Sequence, residues 1–485
     1  MLASQYPRLK APAGKRAKAG IVHLGLGAFF RAHGAIYVAE SIDASGGDWG
    51  IIGVSLMRPA QRDLLEPQGF AYTALELTPN GNIPKIISII ESVLVASEEP
   101  EAVLSAMADP HISIVTLTVT EKGYCHEPST GSLIQNHPDI IYDLANEMPR
   151  SALGYIVRAL QRRYQAGIAP FTILSCDNLP DNGKVVGGVV LELANLIDPD
   201  LAGWIAEKGA FPSTMVDRIV PATKPEDIEA LTKQTGQLDL SPVLHEPFRQ
   251  WVIEDNFVEG ARPDFAAVGV QMVADVSPFE HMKLRCLNGT HSSLAYLGYL
   301  AGHETIFDAV SNSAFAAYCR HLWRMEIIPS IRGPEGGDLQ GYADALFERY
   351  SNPAIAHLTW QIAMDGSQKL PQRILGTISE NLNAGRKSDG LILAVAAWMR
   401  YVGGIDEQGQ KIDVKDPMAL RLQELSEKAN STRDRVDALL ELSEIFPSDL
   451  AANAVFRNNI TQAYEKLVAH GAQICVRDCA KEYTL

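Results

Sequence analysis

Long apolar runs are missing from this 485-residue chain. No stretch approaches the roughly 18 consecutive apolar residues that suggest a membrane-spanning helix. The amino-terminal stretch, MLASQYPRLKAPAGKRAKAG, also has no apolar core of the kind that secretory signals carry. We therefore expect a cytoplasmic protein with no membrane partner.

Positive charge is scarce as well, since 42 Lys and Arg residues stand against 58 Asp and Glu residues and give a formal net charge of −16. A chain with this charge repels the phosphate backbones of nucleic acids. Nucleic acid is therefore not an expected partner.

Cysteines are few, and none of the six stands in the CxxC spacing that is typical of structural zinc sites. They are Cys125, Cys176, Cys286, Cys319, Cys475 and Cys479. We expect reduced thiols and no bound metal.

The size of the chain predicts two domains, because 485 residues exceed what one hydrophobic core usually serves. Strand patterns fill the first part and nearly vanish after Pro278. We predict an α/β domain over residues 1–277 and an all-helical domain over residues 278–485. The helices predicted in the second domain are Phe279–Ala301, Ala314–Met325, Leu339–Arg349, Leu391–Val402, Ser431–Leu442 and Ile460–His470.

A glycine pair near the amino terminus is a candidate cofactor site. The predicted strand Gly20–Leu24 is followed by Gly25, Gly27 and an apolar-periodic segment, Phe29–Ile42. Glycines let a backbone approach phosphates, and a helix N-terminus offers free N–H groups, so this order is typical of a pyrophosphate-binding turn. The fingerprint is incomplete because Phe30 stands where its third glycine is usual. Taken alone, the motif leaves a cofactor site and an ordinary turn equally open.

Two further patterns bear on the first domain. The second predicted strand, Trp49–Leu56, lacks the terminal acidic residue that binds the ribose of NAD, and Arg58 beyond it could meet the 2′-phosphate of NADP. Between Tyr72 and Val95, short alternating runs around Pro79-Asn-Gly-Asn predict an inserted β-hairpin.

Polar residues at predicted strand ends are candidates for ligand contacts. Thr120 and Lys122 follow the apolar strand Ile112–Val119, and loops at the carboxyl ends of parallel strands face the ligand crevice. Asn178 follows the strand Phe171–Cys176, where a plain polar turn is the alternative.

The helix between these strands, Ala152–Gln165, is predicted to carry Arg162 and Arg163 on its wet face.

The predicted helix Phe279–Ala301 carries its polar residues on one broad face. At about 100° per residue, Glu280, Lys283, Asn288 and His291 fall within roughly 140° of the circumference. Such a group suggests an active-site wall, while a partly buried helix with outward-facing polar groups remains the alternative. Asp365–Arg373, which includes Lys369, is predicted to be a polar loop, with a solvated turn as the alternative to a substrate contact.

The motif Lys283-x4-Asn288-x2-His291, continued by Ala-Tyr-Leu-Gly-Tyr-Leu, resembles the signature of the mannitol dehydrogenase family, the polyol-specific long-chain dehydrogenases. The resemblance extends from His23-Leu-Gly-Leu-Gly to Pro371-Gln-Arg. It implies that residues 1–277 form a Rossmann-type, dinucleotide-binding domain and that the all-helical domain over residues 278–485 binds the substrate.

The same resemblance covers the glycine turn. Family members usually show Gly-x-Gly-x-Phe-His-Arg-Ala-His, and this chain matches with Phe29, Arg31 and His33 but has Phe30 in place of the first His. The resemblance implies that Phe29 and Arg31 lie at the cofactor, and that the cofactor is NAD in spite of Arg58.

A metal-independent secondary-alcohol dehydrogenase is the activity that the resemblance implies. Without a metal, the protein itself must supply a proton donor and hydrogen-bond donors for the reacting oxygen. Lys283 is the candidate general acid and base, and Asn178 and Asn288 would stabilise the alkoxide-like oxygen. His291 would orient the substrate and Glu280 would relay protons.

Other family residues that line the substrate site match Asp217 and Lys369.

Within the family, the chain most resembles members that interconvert D-mannonate and D-fructuronate. A carboxylate in so acidic a protein needs a local cation, for which Arg249 and Arg373 are the candidates. Mannitol 2-dehydrogenase and tagaturonate reductase activities are the alternatives. A catalytically inactive dinucleotide-binding sensor is a rival from another class, although such a protein would be expected to have lost Lys283, Asn288 or His291. The partner is therefore a sugar acid or polyol, and we expect a monomer or small homo-oligomer.

Overall fold

The computed structural model describes residues 5–14, 16–127 and 130–481, and the chain divides into two units between Ser277 and Pro278. Among the described residues, strands occur only in the first unit. They are β1 (Ala19–Leu24), β2 (Gly50–Ser55), β3 (Tyr72–Thr78), β4 (Gly81–Ile87), β5 (Ile90–Val95), β6 (Ile114–Leu117), β7 (Thr172–Ser175), β8 (Thr214–Asp217), β9 (Val243–His245), β10 (Gln250–Glu254) and β11 (Gln271–Val273).

A five-stranded parallel sheet in the order β5-β2-β1-β6-β7 forms the centre of the first unit. The chain runs outward from β1 to β5 on one side and then through β6 to β7 on the other, so the strand order reverses between β1 and β6. In open α/β sheets, ligands bind at the carboxyl ends of the strands beside such a reversal. This Rossmann-type fold agrees with the prediction and places the glycine turn at the reversal.

Helices cover both faces of this sheet. Their bounds are α1 (Ala28–Ala32), α2 (Gly34–Ser45), α3 (Ala60–Leu65), α4 (Pro100–Ala108), α5 (Pro138–Ala145), α6 (Ala152–Ala166), α7 (Asn182–Ile197), α8 (Pro199–Lys208) and α9 (Pro225–Thr235). Successive residues of β1 point to opposite faces: Val22 and Leu24 belong to the core under α4, α6 and α7, and Ile21 belongs to the core under α2. Burial on both faces explains why these strands are apolar runs.

Two boundaries differ from the prediction. The segment expected as one helix, Phe29–Ile42, is interrupted at His33, whose φ of −130° and ψ of −85° are not helical. The predicted hairpin is present as β3 and β4, joined by a turn at Pro79 and Asn80, and β3 also pairs with β9. However, β5 does not belong to it, because Ile90–Val95 pairs with β2 in the main sheet.

Arg163 corrects another expectation. Its side chain does not face water: the residue is 2% exposed and donates hydrogen bonds to the backbone carbonyls of Met107, Asp109, Ile112 and Ala169. Arg162 does lie at the surface, where it pairs with Glu101. The buried guanidinium thus satisfies backbone carbonyls from the end of α4, the loop before β6 and the loop after α6.

The second unit is helical in all its described elements. Its helices are α10 (Ser277–Met282), which begins one residue before the boundary, α11 (Thr290–Leu300), α12 (Ile306–Ser311), α13 (Ser313–His321), α14 (Leu339–Tyr350), α15 (Thr359–Ile362), α16 (Gly366–Leu370), α17 (Gly376–Asn383), α18 (Asp389–Tyr401), α19 (Ala419–Lys428), α20 (Thr432–Leu440), α21 (Ser448–Ala452), α22 (Ala454–His470) and α23 (Ala472–Cys479). Three π-helical segments, Lys283–Gly289, Leu322–Ile327 and Pro371–Leu375, continue α10, α13 and α16.

Helix α18 lies at the centre of this unit and packs against α11 and α22. Residues 390–399 are all buried, as expected of a helix that is apolar on every side. Its N-terminus is capped by the buried carboxylate of Glu326, which accepts hydrogen bonds from the backbone N–H groups of Gly390 at 2.7 Å and Leu391 at 2.9 Å. A negative charge at this end also complements the helix dipole.

The role of Arg163 predicts an unequal effect of two neighbouring substitutions. Arg163→Ala should lower the free energy of unfolding by about 3 kcal/mol or more, because buried carbonyls lose their donors. Arg162→Ala, the matched control, removes only a surface ion pair and should change stability little. Urea unfolding followed by circular dichroism measures both. Equal effects of the two variants would contradict the role assigned to Arg163.

Candidate active site

The glycine turn follows β1 directly and is shaped by two different demands. Gly25 has a φ of +90°, and a Cβ there would collide with the carbonyl oxygen of Thr118, so the fold itself requires glycine. At Gly27 an added Cβ would meet no atom closer than 3.8 Å. The packing of the chain therefore leaves open space beside Gly27.

A series of hydrogen bonds through His23 fixes the conformation of this turn. Thr118 donates its hydroxyl proton to the carbonyl of Gly25 at 2.8 Å. Because that proton is used, the Thr118 hydroxyl accepts a hydrogen bond from Nε2 of His23 at 3.0 Å. Nδ1 of His23 in turn accepts a hydrogen bond from the hydroxyl of Thr116 at 2.8 Å. Burial lowers the pKa of His23 to about 3, and the ring is therefore neutral. Phe30 stacks on this ring at 3.4 Å with an interplanar angle of 7°. The residue that departs from the family pattern thus packs against the histidine that positions the turn.

Phe29 and Arg31, both predicted to lie at the cofactor, have different surroundings. Phe29 stacks on His33 at 5.1 Å. Arg31 is 4% exposed and donates hydrogen bonds to the carbonyls of Gly27 at 3.3 Å and Ser241 at 2.6 Å. The geometry of Arg31 favours support of the glycine turn over direct contact with a ligand.

The loops after β6 and β7 are tied together by Asp177. Its carboxylate accepts hydrogen bonds from the backbone N–H groups of Val119 and Thr120, each at 2.9 Å, and from the hydroxyl of Tyr124 at 2.8 Å. Thr120 has a positive φ of 66°. Asp177, which the sequence did not single out, therefore fixes the backbone from which Thr120 and Lys122 project.

Asn178 and Asp217 both lie at strand ends, as predicted. Asn178 is exposed just beyond β7, and Asp217 is the last residue of β8 and is 4% exposed. However, β8 pairs antiparallel with β10 in a separate sheet, β11-β10-β8, so Asp217 does not belong to the main sheet. Burial lowers the pKa of nearby His33 to about 3, and the charge of Asp217 opposes this shift.

Arg249, a predicted carboxylate partner, has a carboxylate partner within the first unit. Its guanidinium pairs with Glu40 and lies 4.2 Å from the ring centre of Tyr37. Lys85 binds the other oxygen of Glu40 at 2.7 Å. Arg58 is exposed beyond β2.

The helix expected over Phe279–Ala301 is not α-helical throughout. Glu280 lies on α10, Lys283 and Asn288 lie in the π-helical segment, and His291 lies on α11. The angle of about 100° per residue holds only for an α-helix, so the predicted spread of about 140° does not apply across the π-helical segment. Lys283 and His291 are each 8% exposed, so these two side chains do not face water, whereas Glu280 and Asn288 are partly exposed.

Side chains from other helices stabilise the wide turn. Trp323 donates to the carbonyl of Cys286 and Tyr350 donates to the carbonyl of Leu287, both at 2.9 Å. A Cβ at Gly289 would lie 2.7 Å from the carbonyl oxygen of Arg373, so glycine is required where the two π-helical segments meet. Wide turns of this kind are frequent at functional sites.

The segment predicted as a polar loop, Asp365–Arg373, is helical. Asp416 anchors its start by accepting from the backbone N–H of Ser367 at 2.8 Å and from the hydroxyl at 2.6 Å. Lys369 donates to the carbonyl of Met364 at 2.6 Å, and Arg373 donates to the hydroxyl of Ser292 on α11 at 3.1 Å. The structure thus brings Arg373 into contact with the helix that carries His291, and the charge of Lys369 also acts on His291.

His291 lies among aromatic rings and cations. Its ring centre is 4.8 Å from that of His357 and 5.3 Å from that of Tyr350. Burial lowers the pKa of His291 well below its usual range, and the charges of Arg373, Arg349 and Lys369 lower it further. Sequence patterns do not indicate Arg349, Tyr350 or His357 as site residues, because these residues belong to elements outside the recognised motif.

Metal ligands and membrane spans can be assessed for the described residues. Within residues 5–14, 16–127 and 130–481, no group of three or more His, Cys, Asp or Glu side chains could hold a metal ion. None of the helices in that part of the chain is long and apolar enough to cross a membrane. All six cysteines are free thiols.

A separate pocket of about 320 Å³ opens near the C-terminal end of α11. Its walls include Tyr299, His303, Glu304, Trp360 and Asp406, which are not among the predicted site residues. The chemistry described above is therefore not assigned to it.

Comparison with known proteins identifies relatives over nearly the whole chain. The mannitol dehydrogenase Rossmann domain matches residues 19–266, and the mannitol dehydrogenase C-terminal domain matches residues 275–468. D-mannonate oxidoreductase of Escherichia coli (strain K12) is 50% identical over 95% of this chain and 96% of its own. Mannitol 2-dehydrogenase of Aspergillus terreus is 40% identical over 97% of this chain and 95% of its own.

Solved structures agree. The ternary complex of Pseudomonas fluorescens mannitol 2-dehydrogenase with NAD and D-mannitol has a TM-score of 0.86 and 36% identity, covering 99% of this chain and 98% of that one. Substrate-free D-sorbitol dehydrogenase has a TM-score of 0.88 and 33% identity, covering 98% and 99%. The chain therefore belongs to the mannitol dehydrogenase family of NAD-dependent oxidoreductases, which act on secondary alcohols.

Proposed function

We propose that this enzyme interconverts D-mannonate and D-fructuronate, with NAD as the hydride carrier. The observation that carries the proposal is the group of cations, Arg349, Lys369 and Arg373, whose charges act on the buried His291. In a chain with a net charge of −16, such a group suits a substrate that ends in a carboxylate. The 50% identity to D-mannonate oxidoreductase supports the same substrate.

The glycine turn fits a dinucleotide. The space beside Gly27 and the fixed conformation of Gly25 give a backbone that can approach a pyrophosphate, next to the first turn of α1. When bound, NAD supplies the carbon that accepts or returns the hydride. Arg31 and the hydrogen-bonded His23 hold this turn in place.

The remaining chemistry belongs to the side chains of the protein. In oxidation Lys283 removes the hydroxyl proton of the substrate, and in reduction its ammonium returns that proton. Asn178 and Asn288 donate amide hydrogens to the oxygen on which negative charge develops. His291 orients the substrate, and Glu280 relays protons between Lys283 and water. Asp217 and Lys369 line the substrate site.

Mannitol 2-dehydrogenase activity is the second candidate. It is favoured by the 40% identity to the Aspergillus enzyme and by the likeness to a structure that contains D-mannitol. Neither mannitol nor fructose carries a carboxylate, so neither substrate would use the positive charge of these cations. Tagaturonate reductase activity would use the same cations and differ in stereochemistry.

An inactive dinucleotide-binding sensor fits the chain poorly, because Lys283, Asn288 and His291 are all present and two of them are buried. The proposed enzyme works on a small sugar acid in the cytoplasm, as a monomer or small homo-oligomer, with no nucleic acid or membrane partner.

Substrate choice tests the proposal. Followed by NADH absorbance, fructuronate should be reduced with a kcat/KM at least about tenfold above those of fructose and tagaturonate, since hydrogen bonds to a charged group contribute about 1.5–3 kcal/mol. Arg373→Ala should lower kcat/KM for fructuronate by about 30-fold or more, corresponding to about 2–5 kcal/mol, and should affect fructose much less.

Arg249→Ala is the matched control for that variant, because Arg249 is bound to Glu40. This variant should change kcat/KM for fructuronate and for fructose by the same factor. A selective loss of fructuronate activity in Arg249→Ala but not in Arg373→Ala would make Arg249 the carboxylate partner. A wild-type preference for fructose would favour the mannitol 2-dehydrogenase alternative.

Cofactor preference gives a second test. NADH should have a higher kcat/KM than NADPH, and Arg58→Ala should leave the NADH value nearly unchanged because Arg58 is exposed beyond β2. A higher kcat/KM with NADPH that is lost in Arg58→Ala would instead make Arg58 a binding residue for the 2′-phosphate.

Lys283→Ala should lower kcat by at least about 10²-fold, because general acid–base catalysis typically contributes 10²–10⁴-fold. NADH binding, measured by fluorescence titration, should persist because the glycine turn is a separate element. Oxidation by the intact enzyme should rise with pH, since it needs the neutral amine, and the variant should lose this dependence.

Lys283→Arg provides the control for charge, because it keeps a cation that does not act as a base. It should be as slow as Lys283→Ala, while added primary amines should partly restore the rate of the alanine variant only. Near-normal turnover with an unchanged pH profile in either variant would make Lys283 structural.

A further inference from the structure

His357 lies between α14 and α15, in an extended segment that pairs with the chain just after α11. The backbone N–H of Ile306 donates to the carbonyl of His357 at 3.0 Å, and Thr305 forms an antiparallel bridge with Leu358. This pairing fixes the imidazole beside α11. Its ring centre lies 4.8 Å from that of His291, with an interplanar angle of 70°.

Within the described part of the chain, each of the two rings has a ring nitrogen without a hydrogen-bond partner, and these two rings contact each other. Among the described residues, Nε2 of His291 and Nδ1 of His357 have no hydrogen-bond partner although both atoms are buried. Buried polar atoms are nearly always paired, and a site with two unpaired nitrogens in contacting rings is completed by a ligand or by water. A ligand there must offer hydrogen-bonding atoms to both rings.

Charge decides which ligand chemistry fits. Burial and then the charge of Lys369 lower the pKa of His357 to about 4, and the pKa of His291 is lowered by burial, by His357 and by Arg373, Arg349 and Lys369. The carboxylate of Asp365 lies 3.8 Å from the ammonium of Lys369 and offsets part of the charge of that cation. A metal cation would be repelled here, while an anionic, oxygen-rich group would be attracted.

We propose that His357 is a further substrate-binding and specificity-determining residue, whose Nδ1–H donates a hydrogen bond to the carboxylate of the sugar acid beside His291. The inference rests on the proposed function and names the end of the substrate that this side chain binds. A neutral imidazole carries one N–H, and a carboxylate accepts only, so the bound anion selects the tautomer with the proton on Nδ1. The surrounding cations strengthen this bond by neutralising the anion.

Two polar substitutions test the assignment without emptying the site. His357→Asn places an amide N–H near the position of Nδ1, whereas His357→Gln places it near the position of Nε2. With the full-length enzyme and NADH, His357→Gln should raise KM for fructuronate by about 10- to 100-fold with a smaller change in kcat, because a hydrogen bond to a charged group is lost. His357→Asn should retain most of the affinity, and KM for fructose should change less than about threefold in both variants.

His303→Gln is the control. His303 also has a buried, unpaired ring nitrogen, Nε2, but its ring contacts Phe315 and lines the separate pocket near the end of α11. It should leave KM for both ketoses unchanged. Thermal unfolding midpoints of the three variants should match the wild type within a few degrees, which shows that each one folds.

The outcomes separate the inference from the proposed function. If wild type prefers fructuronate but His357→Gln changes KM for fructuronate and fructose alike, or changes neither, His357 does not bind the carboxylate. An equal loss in His357→Asn and His357→Gln overturns the assignment to Nδ1. If wild type prefers fructose, the proposed function itself fails, and the carboxylate assignment fails with it.

Discussion

The close approach of two backbones at Gly289 is the constraint on which the candidate site of the second unit depends. No side chain fits there, because a Cβ would lie 2.7 Å from the carbonyl oxygen of Arg373. Both segments that meet here are π-helical, which leaves some backbone carbonyls available to other donors. The side chains of Trp323 and Tyr350 donate hydrogen bonds to two of these carbonyls. The backbone that carries Lys283, His291 and Arg373 is therefore fixed by packing contacts. A fixed backbone suits a site that must position its groups before reaction.

The Rossmann-type sheet and the β3–β4 hairpin could be predicted because their signals are local: apolar runs for strands buried on both faces, and a Pro-Asn-Gly turn between alternating segments. The burial of Arg163 could not be predicted, because it depends on carbonyls that come from separate parts of the fold. The wide turns at Lys283–Gly289 and Pro371–Leu375 were missed for a related reason. Helical periodicity assumes 3.6 residues per turn, and the contacts that widen these turns come from residues distant in sequence.

The candidate site shows the same division. Lys283, Asn288 and His291 were found because they stand close together in one motif, whereas Arg349 and His357 reach His291 only after the helices have packed. Phe30 illustrates a third case. The family pattern indicated a departure at this position, but only the structure explains it, as a flat stack on the neutral ring of His23 beneath the glycine turn.

Buried neutral imidazoles recur in both units, and together they link folding to proton uptake. Burial holds the pKa of His23 and His33 at about 3 and that of His245 and His357 at about 4, against 6.5 for an accessible histidine. In the unfolded chain these rings gain protons as pH falls below about 6.5, while in the folded chain they stay neutral. As pH falls from about 6.5 toward the pKa of the folded state, each histidine therefore lowers the free energy of unfolding by up to about 1.4 kcal/mol per pH unit. Acidification below about pH 6.5 is thus expected to lower the stability of the folded chain through these histidines.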